Sequence, residues 1–220
     1  MIEDRLAARL GWAIPAVTIT LSTIVHILSG NNRAFPFFIS ETDHPGLERW
    51  IFTIGLSVTG LVLCWTSWRL YQVRKETARK LWIFAALVCG LWVGGNLTAM
   101  SFLDMYDHLE LHVVTALNVF HFGLAWGVIT HIAISDGNRF GKKLRYASIS
   151  LSFIAFAVMS WSMGEAFIEN PEALNSLDTM SEVQHWIDYA APAEYLLAIG
   201  FFLTLASFEF DIESPSDQEE

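Results

Sequence analysis

Charge is scarce in this 220-residue chain: Asp, Glu, Lys and Arg make up 16% of it, against roughly 25% in soluble proteins. That shortage excludes a hydrated surface around the whole molecule. Positive charge is scarcer still, 13 Lys and Arg against 23 Asp and Glu, for a formal net charge of −10. Nucleic acid is therefore not an expected partner, because a phosphate-binding face needs clustered cations in excess. Cysteine is limited to Cys64 and Cys89, both within apolar stretches, so a disulfide framework is excluded and both read as small packing residues. No lysine stands in the middle of a long apolar run, which leaves a retinal-type Schiff base without an anchor. The chain also lacks a G-x-S-x-G elbow, a phosphate-cradling glycine loop and the internal duplication common in transporters.

Apolar residues are abundant: 53% of the chain is hydrophobic and its mean hydropathy is +0.40. They gather into six runs of about 20 residues, each long enough to span a bilayer as a helix. The runs are Leu10 to Ser29, Arg49 to Tyr71, Leu81 to Leu103, Leu111 to Ser135, Tyr146 to Phe167 and Asp188 to Glu209. The first is too long for a signal-peptide core and has no small-residue cleavage site after it, so it reads as a span. The expected fold class is all-α, a polytopic membrane protein of six transmembrane helices. Residues 1–210 form the membrane domain and residues 211–220 an acidic, disordered cytosolic tail.

Short loops rich in Lys and Arg stay in the cytoplasm. Eleven of the 13 basic residues flank the first span or lie between spans two and three and between four and five. Both termini are therefore expected in the cytosol, leaving Arg33 and Arg49 outside. Thirteen of the 23 acids fall on the outer side, so the outer face carries a net −11 and the inner face +1. The chain's acidity thus has a location.

Ionisable groups inside a membrane are costly and mark function by default. Glu194 lies about six residues, or roughly 9 Å, into the sixth span, behind Pro192, which is expected to open the first turn. Its bland alternative is a carboxyl that snorkels to the interface or pairs with Arg49. His108 and His112 stand at i, i+4, a spacing that places two imidazoles on one helix face as in helical zinc sites. They lack the Glu after the first His that zinc proteases require, so no metal or other cofactor is expected and the pair is a weak candidate. His26, His121 and His131 read as hydrogen-bonded packing residues, and Gly90, Gly94 and Gly95 as places of close helix approach.

The stretch Phe35-Pro-Phe-Phe-Ile-Ser-Glu-Thr-Asp-His-Pro-Gly-Leu-Glu48, followed by an aromatic span, resembles the damage-regulated autophagy modulator (DRAM) family, with Pro36, Ile39, Ser40, Glu41, Thr42 and Glu48 at matching positions. Glu194 with Tyr195, then Gly200-Phe201, Ser207-Phe208 and Asp211, look like that family's last span, and His112 matches a His at the start of its fourth. Relatives include GPI-anchor lipid-remodelling proteins of the PGAP and CWH types. The resemblance implies a six-span protein that acts on, or responds to, lipids.

Glu48, His112 and Glu194 all stand at the starts of alternate spans, where they can meet in one outward-facing pocket, with Glu41 on the loop above. Such a pocket is expected to bind a lipid head group, with Glu194 as general acid or base and His112 as its partner if the chain is an enzyme. An acidic rim favours a zwitterionic, amine-bearing or sugar head group. The role implied is lipid handling, in GPI-lipid or ceramide remodelling or in membrane-lipid organisation. Two alternatives stay open: a non-catalytic regulator of autophagy or membrane traffic, with protein partners on the cytosolic tail, and a metal-dependent lipid hydrolase. The setting is a multi-pass protein of the plasma membrane or of a Golgi- or lysosome-type endomembrane.

Overall fold

In the computed structural model, residues 2–135 and 137–212 are described. Six long helices account for most of them: α1 (Ile2–Ser29), α2 (Leu47–Arg74), α3 (Lys80–Met100), α4 (Leu109–Ala133), α5 (Arg139–Glu169) and α6 (Gln184–Ser207), followed by a single turn, α7 (Glu209–Ile212). Short 3-10 turns cover Ile39–Thr42, Pro171–Leu174 and Thr179–Val183. All six long helices are apolar and long enough to cross a membrane.

The helices run past the apolar sequence because their ends are fixed by local chemistry. Asn138 accepts the N–H groups of Phe140 and Gly141, so α5 begins seven residues before its apolar run. The last helix starts at Gln184, which places Pro192 two turns inside it and not in its first turn. There Pro192 removes the N–H that would reach the Asp188 carbonyl.

Large apolar side chains such as Leu28, Leu81 and Ile168 point outward, while Thr18, Ser22, Thr59, Thr66, Ser148, Ser152 and Thr204 are buried between helices. This is the inverted pattern of a bundle in lipid, where close approach and interhelical hydrogen bonds hold helices together. At the α2–α3 crossing a Cβ on Gly60 would lie 2.5 Å from the Gly94 carbonyl, and one on Gly94 equally close to that of Gly60. Gly90 packs as tightly, against Ser67 and Trp126, but Gly95 faces open space and plays no such part.

Consecutive helices pack against each other and α1 also meets α6, closing the ring. The segments 30–46, 101–108 and 170–183 share one end of the bundle, the loop end. Both described termini and residues 75–79, 134–135 and 137–138 occupy the other, the terminal end; there Trp12 Nε1 donates to Glu209 at 2.7 Å.

Asp211 and Ile212, expected in the tail, are instead buried in α7. The reason is Arg145, fully buried, which pairs with Asp211 and donates to Ser207 Oγ at 3.0 Å. Residues 213–220, the rest of that expected tail, lie outside the described residues.

Candidate functional site

At the loop end the segment 30–46 folds inward. Gly30 (φ +72°) leaves α1 and Gly46 (φ +136°) starts α2, both in the left-handed region that favours glycine. Between them Phe37, Phe38 and every residue of Ile39–Thr42 are buried.

A buried loop must find partners for its backbone polar groups, and here most come from side chains. The Ile39 N–H donates to Glu194 Oε2 at 2.6 Å, and the Phe38 N–H to Glu41 Oε1 at 2.9 Å. Tyr106 donates its hydroxyl to the Glu41 carbonyl at 2.9 Å, and Ser22 donates to the Thr42 hydroxyl at 2.8 Å. Gln184 Nε2 reaches the Pro36 carbonyl at 3.0 Å, while Arg33 bridges Gln184 and Glu41. Burial and the nearby carboxylates of Glu41 and Asp43 push the Tyr106 hydroxyl well above the ordinary phenol range.

Two further carboxylates flank the segment. Glu48 is buried and takes the Asn31 amide at 2.8 Å, with His26 Nδ1 3.7 Å away. Asp43 is 1% exposed, and neither of its carboxylate oxygens has a hydrogen-bond donor among the described residues. Its closest cation is Arg49, whose Nε stands 3.8 Å off while its Nη2 reaches Asp104 at 3.1 Å. Burial, opposed by Arg49 and reinforced by Asp104, raises the Asp43 carboxyl to about 7.

Beneath Ile39 and Ser40 lies a cavity of about 120 Å³ between α1, α2, α3, α4 and α6. Its wall is almost wholly apolar, with Phe52, Val119, Phe120 and Phe201 among the lining residues; Glu194, His112 and Ser40 contribute polar groups at the loop end. His112 Nδ1 lies 2.5 Å from the Leu103 carbonyl and must donate to it, since a carbonyl only accepts. In the neutral ring this fixes Nε2 as the acceptor. Along α4 the lining runs from His112 to Trp126, about 21 Å at 1.5 Å per residue. Trp126 is 4% exposed, and its indole N–H has no partner among the described residues.

The expected four-residue constellation is thus divided. Glu194 and His112 line one cavity, Glu41 binds the loop's own backbone above it, and Glu48 faces Asn31 and His26 to the side. Arg49 engages Asp43, Asp104 and Asp107, not Glu194. His108 is the exposed N-cap of α4, one residue before the helix starts, so it and His112 do not share a helical face as the spacing suggested. Among the described residues no three His, Cys, Asp or Glu side chains converge as metal ligands would. Of the remaining histidines, His121 hydrogen bonds the Leu117 carbonyl, whereas among the described residues His26 has no hydrogen-bond partner at either ring nitrogen and His131 none at Nδ1.

A family model for the Frag1/DRAM/Sfk1/Cwh43P N-terminal domain matches residues 8–214. The chain belongs to that family. No curated protein and no solved structure matches it. For this Frag1/DRAM/Sfk1/Cwh43P chain, six apolar helices and the family together make it an integral, multi-pass membrane protein.

Sequence reasoning missed the Asp43–Arg49–Asp104 cluster and the Arg145–Asp211 pair. Neither gave a signal, because Asp43 and Asp104 lie in loops and Asp211 lies past the last long helix, where charge is ordinary in a membrane protein. Trp126 gave no signal, because its indole is one of nine.

Proposed function

We propose that this chain handles a membrane lipid by taking one hydrocarbon chain into the cavity between α1, α2, α3, α4 and α6, with the head group beside Ser40, His112 and Glu194. The observation that carries the reading is an apolar cavity whose lining runs along α4 from His112 to Trp126, with two ionisable side chains at one end. A carboxylate and an imidazole acceptor at the mouth favour a head group that donates hydrogen bonds through hydroxyl, amide or amine groups. With the basic loops cytosolic, the mouth opens to the outer leaflet, as GPI-lipid or ceramide remodelling requires.

The test is lipid carried through purification. The wild-type protein should retain about one lipid per chain on native mass spectrometry in mild detergent. Ala116→Phe with Ala198→Phe, which fill the lining, should remove it while leaving thermal unfolding cooperative. Equal lipid content in both proteins, with both folded, sinks the reading.

A second reading, the non-catalytic regulator of autophagy or membrane traffic, draws support from the hydrogen bonds that commit Glu194 and Glu41 to the backbone of the loop. Under it Glu194→Gln leaves cellular lipid profiles unchanged but alters the loop's surface. Among the described residues no arrangement favours the metal-dependent hydrolase.

A further inference from the structure

We propose that the pocket where α4 turns into α5, at the terminal end, binds the phosphomonoester head group of an anionic membrane lipid. The pocket holds about 440 Å³ and is lined by His131, Gly137, Arg139, Lys142, Lys143 and Tyr146. Three permanent cations and an imidazole share this wall, and no described lining residue is acidic.

The protein leaves these charges available. Among the described residues Arg139 and Lys143 make no hydrogen bond or ion pair, and both are exposed. Lys142 gives one of its three hydrogens to the Ser135 carbonyl at 2.7 Å and keeps the others. His131 presents Nδ1 without a partner among the described residues. Asp211, whose carboxylate abuts Gly137, is held by Arg145 and does not neutralise the pocket. The Arg79 N–H donates to the Ala133 carbonyl at 3.1 Å, which brings the second basic loop, with Lys75, Arg79 and Lys80, against the same turn and adds to its field.

Position selects a lipid over a free solute. Phe140 and Tyr146 are 61% and 68% exposed on either side of the basic residues, as aromatic side chains are at the head-group level of a bilayer. Basic pockets between membrane helices are suited to anionic head groups. Charge selects the monoester: a phosphate monoester carries between one and two negative charges near neutral pH, a diester only one, and three fixed cations reward the difference.

The experiment uses the full chain in phosphatidylcholine nanodiscs with dioctanoyl phosphatidate as probe. Binding should be saturable and should weaken about fivefold in Arg139→Gln and again in Lys143→Gln, the factor for one basic residue at a membrane surface. Dioctanoyl phosphatidylglycerol, a diester, should bind more weakly, and inorganic phosphate should compete only at far higher concentration. Equal affinity for the diester, or unchanged binding in the double variant, overturns the proposal. Competition by inorganic phosphate at the probe's own concentration overturns the lipid assignment. Because the pocket lies at the end opposite His112 and Glu194, the cavity-filling variant Ala116→Phe should bind phosphatidate normally, so failure here is separable from failure of the cavity reading.

Discussion

The N–H of Ile39 donates to Glu194 Oε2 at 2.6 Å across 155 residues of sequence, tying the buried loop to the last membrane helix. The bond joins a carboxyl inside the helix bundle to the backbone of the segment that roofs the cavity. Loop closure and the mouth of the cavity therefore share one interaction.

Removing that acceptor leaves a buried N–H unpaired, which costs about 1–3 kcal/mol. Glu194→Ala should lower the unfolding temperature measurably and raise hydrogen exchange across residues 36–43. Glu194→Gln keeps an amide oxygen for Ile39 and should cost less than half as much. Indistinguishable exchange in wild type and Glu194→Ala would show that the bond does not hold the loop.

Asp43 makes stability depend on pH. Its carboxyl titrates at about 7 in the folded chain against 3.8 for the ordinary group, so the folded state holds a proton the unfolded state has released. Between these values the unfolded state binds fewer protons, so stability falls as pH rises. The contribution is present in full below about pH 4, is lost as pH climbs through 7, and is flat beyond. The expected result is a melting temperature that drops between pH 5 and 8 in wild type and drops less in Asp43→Asn. Parallel curves for the two proteins would assign the pH dependence elsewhere.

The fold was legible because six apolar runs of bilayer length leave few alternatives, and the structure returns six helices. Helix ends were less so: Asn138 starts α5 by accepting the Phe140 and Gly141 N–H groups, and α6 starts at Gln184 without a side-chain cap, four residues before its apolar run, and hydropathy registers neither. At the site, Glu194 and His112 could be picked out because ionisable groups are rare in membrane spans. What each one faces could not. Glu48 stands in the first turn of α2 and Glu194 ten residues into α6, and one meets Asn31 and the other the Ile39 backbone, a difference set by how the 30–46 segment turns at Gly30 and Gly46. His108 failed for a simpler reason: an i, i+4 pair shares a face only if both residues are helical.

Arg145 and Asp211 are both fully buried, and the guanidinium also lies over the Phe208 ring, 5.2 Å from its centroid. Breaking such a pair from one side strands a charge and costs about 3–5 kcal/mol, whereas replacing both partners with apolar groups is often neutral. Arg145→Met and Asp211→Leu should each reduce folded yield and melting temperature sharply, and the double variant should recover most of the loss. The Arg74 guanidinium donates to the Asp211 backbone carbonyl at 2.6 Å and survives all three changes. A double variant as unstable as the sum of the singles would mean that the two side chains act separately.

Among the described residues the Trp126 indole N–H has no partner, and it stands in the wall of the cavity proposed to take a lipid chain. A buried donor without an acceptor is unfavourable by about 1–3 kcal/mol, and Phe fills most of the same space without one. In lipid-free protein, Trp126→Phe should therefore be neutral to stabilising, unusual for truncation of a buried aromatic residue, since Trp→Ala costs roughly 3–5 kcal/mol. With lipid present the sign discriminates. If the occupant is a plain hydrocarbon chain, the donor gains nothing from it and Trp126→Phe should retain lipid as well as wild type. If the occupant carries an acceptor at that depth, the variant should lose lipid while gaining stability. Thermal unfolding and lipid content measured on the same two proteins distinguish these outcomes, and so report what kind of chain the cavity holds.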